Sequence, residues 1–297
     1  MGKWWKRGAI AVGTVVVVAG GAVFAGLQLG QHRMARQVVL AVQPVAPRSD
    51  AQALQRGHYL FASRGCVDCH GSNGAGRVFA DNGSDLRIKG PNITVGPGGV
   101  VASYQPEDWV RTIRHGVAPG GRPLMVMPAE DYNRLTDTDL GALVGYIRSL
   151  PPASGTGAEV RLPLPARVLY GFGAIQDAAA KIDHSLPPAA PVEEGVNLRH
   201  GAYVANMCLG CHGAQLTGGT IPGGPPDWPP AANLRKVTAD GGPYDKPEAF
   251  LQMLKSGKRA DGSAIQVMPF ESLRALSDTD ARALHLYLRS LAAEPKG

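Results

Sequence analysis

No folded stretch of this 297-residue chain carries a marked excess of charge of one sign, and that excludes the electrostatic footprint of a nucleic-acid-binding surface. The formal net charge of +6 is an end effect. Residues 1–50 hold six Lys/Arg against the single acid Asp50. Basic and acidic side chains then number ten and nine over 51–150, three and five over 151–195, and eleven and nine over 196–297. Cysteine is scarce as well, with four in the whole chain. Stretches free of helix breakers are also few: 39 Gly and 24 Pro exclude long helices and a conventional large sheet from the bulk of the chain and predict short helices joined by long ordered loops. The length favours two modules.

The N-terminus is the exception. The 23 residues Gly8–Gly30 carry no charged side chain and are long enough to cross a bilayer. Lys3, Lys6 and Arg7 precede them, and Trp4 and Trp5 stand where an interfacial aromatic belt would lie. This predicts a cytoplasmic N-terminus with the remaining chain outside, although Arg33 and Arg36 soften the asymmetry. The expectation is a retained anchor, residues 1–30, followed by a linker, 31–50. A cleaved signal peptide is the rival, because Val23-Phe24-Ala25 ahead of Gly26 is acceptable to a peptidase; either way the rest is exported. Gly26 and Gly30 make one GxxxG, a pattern that lets helices approach closely.

The cysteines fall in two segments, Cys66-Val67-Asp68-Cys69-His70 and Cys208-Leu209-Gly210-Cys211-His212. On a helix, positions i, i+3 and i+4 share a face, so two thiols can bond the vinyl groups of one haem while the histidine reaches its iron. A thioredoxin-like redox pair needs no following histidine, and zinc would need four ligands closed around one ion. Two complete CxxCH motifs therefore predict two covalently bound haem c groups and leave no cysteine for a structural disulfide.

Sliding the chain on itself by 141 residues aligns Asn92–Leu150 with Asn233–Leu291 without a gap; the haem motifs repeat at 142. Pro106-Glu107 meets Pro247-Glu248, Trp109 meets Phe250, Gly116 meets Gly257, and Leu135-Thr136-Asp137-Thr138-Asp139 meets Leu276-Ser277-Asp278-Thr279-Asp280. This is the duplication of one haem-binding unit. Val126-Met127-Pro128 falls on Val267-Met268-Pro269, whereas Met125 falls on Gln266. Met127 and Met268 are thus the axial candidates opposite His70 and His212, and Met207 and Met253 are core filler. A thioether favours ferrous iron and closes the sixth position, which points to electron transfer at a fairly high potential. Among His58, His115, His184, His200 and His285, none that the repeat aligns is matched by a second histidine; they are expected as surface or satisfied side chains, with His115 as the spare ligand.

Each repeat should close with a capped amphipathic helix: Thr136 with Asp139 ahead of Leu140, Leu143, Val144 and Ile147, and Ser277 with Asp280 ahead of Leu284, Leu288 and Leu291. Gly57-His58-Tyr59 and Gly201-Ala202-Tyr203 open the repeats as short helices whose glycines permit a close crossing of first and last helices. These tyrosines, with Trp109 and Phe250, read as core. The fold class is all-α: two tandem cytochrome c-like domains, 51–150 and 196–297, with short helices and long loops, plus the N-terminal transmembrane helix. Between them, residues 151–195 contain seven prolines and form a spacer. Within it, Val168, Leu169, Phe172 and Ile175 suggest a short amphipathic helix against a haem domain, a partner or the membrane surface.

Arg56-Gly57-His58-Tyr59-Leu60 before CxxCH, then Pro91-Asn92-Ile93-Thr94, Pro106-Glu107-Asp108-Trp109, Arg114-His115-Gly116, Met127-Pro128, Leu135-Thr136-Asp137 and Tyr146-Ile147-Arg148-Ser149-Leu150-Pro151-Pro152 resemble the membrane-bound cytochrome c subunits of bacterial periplasmic dehydrogenases, those of alcohol and gluconate dehydrogenases above all. The resemblance covers most of residues 55–291 and is looser in the second repeat. It implies Cys66, Cys69, His70 and Met127 for one haem and Cys208, Cys211, His212 and Met268 for the other. It also implies an electron-transfer role, not catalysis, at the periplasmic face of the cytoplasmic membrane, between a dehydrogenase catalytic subunit or quinol-oxidising complex and the terminal-oxidase end of a respiratory chain. Those subunits carry three haem motifs and a C-terminal anchor; here there are two motifs and an N-terminal span. The alternative is a dihaem peroxidase, which needs an open iron position and a distal acid/base group, for which His115 or Glu130 would serve. A gas sensor would need an output domain.

Overall fold

The computed structural model describes residues 3–293 apart from 223 and 226. Helix α1 (Lys3–Ala35) contains the apolar run, with a mean hydropathy of 2.3 over its most apolar window, and is almost wholly exposed. The remaining helices are short, as the glycine and proline content requires, and form two bodies. The first holds α2 (Ala51–Ser63), α3 (Cys66–His70), α4 (Pro106–His115), α5 (Ala129–Tyr132) and α6 (Asp137–Ser149). After α7 (Leu164–Gly171), the second holds α8 (Leu198–Ala205), α9 (Leu209–His212), α10 (Leu234–Val237), α11 (Pro247–Ser256), α12 (Phe270–Leu273) and α13 (Asp278–Ala293).

Helix α2 starts at Asp50, whose side chain accepts from Ala53 N, and α6 starts at Thr136, whose hydroxyl accepts from Asp139 N at 3.0 Å. Ser277 repeats the device for Asp280 N at 3.1 Å. Such caps satisfy helix-end donors that would otherwise be orphaned. In each body the first and last helices cross at the expected glycine. A Cβ on Gly57 would stand 2.1 Å from Ala142 O, and one on Gly201 would stand 2.0 Å from Ala283 O. The crossing buries Leu60, Phe61, Leu140 and Leu143 in one core and Val204, Leu284 and Leu288 in the other.

A small antiparallel sheet, β1 (Val78–Asp81), β2 (Arg87–Lys89) and β3 (Glu159–Arg161) in that order, is the one addition to the helical fold among the described residues. Strand β3 comes from the proline-rich segment, which thus packs back on the first body instead of spanning a gap. Asn92 N donates to Thr156 O at 2.9 Å and Ala178 N to Leu124 O at 2.8 Å. Residues 36–50 pack there too: Val38 N donates to Gly121 O, Arg48 N donates to Gly141 O, and Val42 and Val45 cover the core.

Candidate haem sites

In both bodies the motif residues sit on a very short helix. Gly65, in the left-handed region at φ 88°, turns the chain from α2 into α3. His70 is held through one ring nitrogen: its Nδ1 donates to Pro91 O at 2.9 Å, which leaves Nε2 available to a metal. His212 Nδ1 donates likewise to Ala232 O at 2.8 Å, and 91 and 232 are equivalent repeat positions. Burial holds both imidazoles below the ordinary histidine range, so they stand neutral, the form that ligates. The loop bearing Pro91 is locked by the fully buried Asn92, whose amide donates to Ala153 O at 2.7 Å while its oxygen accepts from Thr94 N and Oγ1, each at 2.8 Å. In the second body Asn233 instead caps α10 through Lys236 N at 3.1 Å.

Burial, followed by the neighbouring Cys69 and Asp68, pushes Cys66 up to about 12, and burial pushes Cys69 up to about 11 and Cys208 up to about 12. An active-site redox cysteine is shifted the other way. Cys66 and Met127 both pack at the edge of the first core, and Cys208 and Met268 at the edge of the second. Both methionines are half-buried and each precedes a proline that opens a short helix, α5 or α12. Val267, next to Met268, is a β-branched residue at φ 74°, a strained backbone at the methionine loop.

Trp109 is 5% exposed in the core that Met127 covers, yet its Nε1 is a buried donor with no acceptor. A haem carboxylate would meet that need. Together with two thiols at i and i+3, a neutral imidazole and a soft thioether, the residues fit the group.

The two sites face one another. Asp68, inside the first motif, accepts from Ser272 Oγ of α12 at 2.6 Å; its repeat equivalent Gly210 donates its N–H to Asp131 Oδ1 of α5 at 2.7 Å. Asp131 and Ser272 are themselves repeat equivalents, so each motif rests on the helix that follows the other body's methionine. A second reciprocal pair lies beside it. Tyr59 OH donates to Asp280 Oδ2 at 2.7 Å, and Tyr203 OH donates to Asp139 Oδ2 at 2.7 Å. Each hydroxyl also accepts the N–H of the other body's cap residue, Ser277 or Thr136. These two tyrosines are therefore not simply core, as their apolar neighbours suggest, but the polar bonds between bodies.

Arginines complete the seam. Arg56 forks onto Asp139 with two bonds of 2.9 Å, and the buried Arg64 reaches Asp280 Oδ2 at 2.5 Å. Burial alone would raise both carboxyls, but Arg64 on Asp280 and Arg56 on Asp139 more than offset it and hold them below the usual carboxylate range. His200 Nε2 stands 3.1 Å from Asp280 Oδ1, an ion-pair distance outside hydrogen-bond angles. Of the other histidines, His285 bonds Tyr244 O at 2.9 Å and His58 is exposed. His115 pairs with His184, Nδ1 to Nδ1 at 3.1 Å. The matching tyrosines and aspartates at repeat positions were the sequence signal for the seam; nothing in the sequence marked Arg64, which has no repeat counterpart.

Two helical bodies, each with a haem-attachment motif on a short helix and a histidine fixed through Nδ1, define a dihaem c-type cytochrome with two covalently bound haem c groups. Comparison with known proteins agrees: residues 52–147 match the family described as cytochrome c oxidase, cbb3-type, subunit III, and residues 200–292 match cytochrome c. The chain is 29% identical over 277 residues to the fructose dehydrogenase cytochrome subunit of Gluconobacter japonicus, covering 85% of this chain and 55% of that protein. It is 29% identical over 292 residues to the gluconate 2-dehydrogenase cytochrome c subunit of Pantoea cypripedii, covering 86% and 64%. It is 27% identical over 288 residues to the cytochrome c subunit of the quinone-type alcohol dehydrogenase of Gluconobacter oxydans, covering 85% and 57%. The chain thus spans less than two thirds of these relatives. It is an electron-transfer cytochrome, and these relatives are named as the cytochrome subunits of their dehydrogenases.

Proposed function

We propose that this cytochrome is a two-step electron relay held at the periplasmic face of the cytoplasmic membrane by α1. On this reading it takes electrons from the catalytic subunit of a dehydrogenase and passes them toward quinone or the terminal-oxidase end of respiration. Haem attachment falls to Cys66 and Cys69, and to Cys208 and Cys211. His70 with Met127, and His212 with Met268, would hold the two irons. Bound haem would supply a one-electron change between Fe(II) and Fe(III); the chain's residues fix the histidines, exclude water from the cores and set the two motifs against each other. The observation that carries the reading is the reciprocal contact of motif and methionine helix, Asp68 with Ser272 and Gly210 with Asp131, which makes two sites one unit.

The names of the relatives support a dehydrogenase as donor, and the cbb3-type family model supports the oxidase direction. The unbroken course of α1 from Lys3 past Ala25 to Ala35, longer than the apolar core of a signal peptide, supports a retained α1. The peroxidase alternative gains no support from the distal candidates: His115 is taken by His184, and Glu130 is engaged by Lys181 Nζ at 2.8 Å.

A redox titration followed by visible spectroscopy tests the relay. Both ferric haems should show the weak charge-transfer band of methionine ligation in the red, and neither ferrous haem should bind carbon monoxide. A haem that lacks the band and binds the gas overturns the assignment at that site. Co-purification of a large catalytic subunit with the tagged cytochrome tests the donor; isolation without one removes it.

A further inference from the structure

The outer end of α1 does not stand alone. Gly26 and Gly30 are its buried positions, and what buries them is α7. A Cβ on Gly26 would stand 2.8 Å from Val168 Cγ1 and 3.0 Å from Phe172 Cε2, and one on Gly171 would stand 1.8 Å from Gly26 O. Gly30 faces Arg167 O and the ring of Tyr170. The GxxxG pattern therefore has its partner within the chain. It also fixes the depth of α7. Gly26 lies four residues inside the last apolar position, Gly30, which is about 6 Å along a helix axis. Where α1 spans a bilayer, the end of α7 lies that far below the edge of the apolar layer.

The sequence of α7 suits that depth. Leu164, Leu169 and the C-cap Phe172 are 49%, 46% and 52% exposed and fall to either side of Val168, the α7 residue that packs on Gly26 of α1. The exposed Arg167 is level with Gly30, and Arg33, one turn further out, stands over the Tyr170 ring at 5.5 Å. Cations beside an apolar stripe at the end of a span match phosphate headgroups over acyl chains. A rigid connection runs back to the first haem body. Arg36 forks onto the fully buried Asp177 at 2.6 and 2.7 Å, Tyr170 OH donates to the same carboxylate at 2.9 Å, and the following Ala178 packs onto Gly116 at the end of α4.

We propose that α7 is a second membrane contact, an interfacial helix whose Leu164, Leu169 and Phe172 enter the acyl region of the outer leaflet beside α1 and so fix how the first haem body faces the membrane. This rests on the reading of α1 as a membrane span. Continuity with that span argues for lipid as the occupant, because the stripe adjoins the α1 contact and Phe172 belongs to both. Amphipathic helices that lie in the interface enter it by about 5–10 Å, the depth that Gly26 sets here.

The test uses the haem-loaded full chain in phosphatidylcholine vesicles containing a phosphatidylcholine with a photoactivatable carbene precursor in its acyl chain, with adducts mapped by mass spectrometry. Lipid adducts are expected on α1 around Val17 and on residues 164–172. The exposed Leu164→Glu/Leu169→Glu variant should lose the α7 adducts several-fold while keeping those on α1 and an unchanged haem spectrum. Adducts on α1 alone overturn the proposal and leave the anchor standing. Cross-links from α7 to a second copy in place of lipid overturn it as well. No adducts on α1 would remove the anchor reading, and the proposal with it.

Discussion

Tyr59 of the first haem body donates a 2.7 Å hydrogen bond to Asp280 of the second, and Tyr203 returns the same bond, at the same length, to Asp139. The pairs relate the bodies by an approximate twofold, so each hydroxyl serves as donor to a carboxylate and acceptor for a helix-cap N–H. Tyr59→Phe should lower stability by about 1–3 kcal/mol, since the buried Asp280 loses one donor but keeps Arg64. Arg64→Met should cost more, on the order of 3–5 kcal/mol, because it strands a buried carboxylate. Thermal unfolding of the haem-loaded variants ranks them, and an Arg64→Met protein as stable as the parent would refute the seam.

The same carboxylates set an acid limit. Asp280 and Asp139 titrate below their unfolded range, so their contribution is complete above an unfolded carboxylate pKa of about 4 and drains away as pH falls below it. Small-angle scattering should show the two bodies separating in that range, while the haem bands of each persist.

His115 works in a higher window. Burial, then His184 and Arg114, pushes it down to about 4, whereas an unfolded histidine titrates near 6.5. The unfolded chain therefore takes the proton first. Stability should fall as pH drops from about 6.5 toward 4 and should lose no more from this group below that. His115→Gln should flatten this part of the curve of thermal midpoint against pH; superposable curves would show that the pair does not matter.

The helix crossings allow no side chain. Gly57→Ala and Gly201→Ala each push a methyl group into a backbone carbonyl and should cost about 1–3 kcal/mol, with a drop in the yield of haem-loaded protein. Gly13→Ala, with open space around it, should be silent in the same assay.

For the proposed ligands, Met127→Ala should abolish the red charge-transfer band of one haem, open it to carbon monoxide and lower its potential, leaving the second haem unchanged. Met268→Ala should do the converse. A protein that keeps both bands would move the sixth ligand elsewhere.

Much of this protein was legible along the chain. Two CxxCH motifs need only the pitch of a helix to bring their thiols and histidine together, the caps at Thr136 and Ser277 need only neighbours three residues on, and the glycines at 57 and 201 announce close crossings. The duplication singled out Met127 and Met268 because a repeated position carries information that a lone methionine lacks. What spacing could not convey are contacts between residues far apart in sequence. Tyr59 and Tyr203 read as core because an aromatic ring in an apolar helix looks the same whether its hydroxyl is idle or bonds a residue over two hundred positions away, as Tyr59 does with Asp280. Arg64 gave no sign of its burial, since an arginine outside a motif reads as surface until a partner is seen. The proline-rich segment could have been a free spacer; β3, Asp177 and α7 tie it to the first body and to α1. Local chemistry determined the cofactor and the helices, and tertiary packing decided how the two haem sites and the apolar span are set against each other.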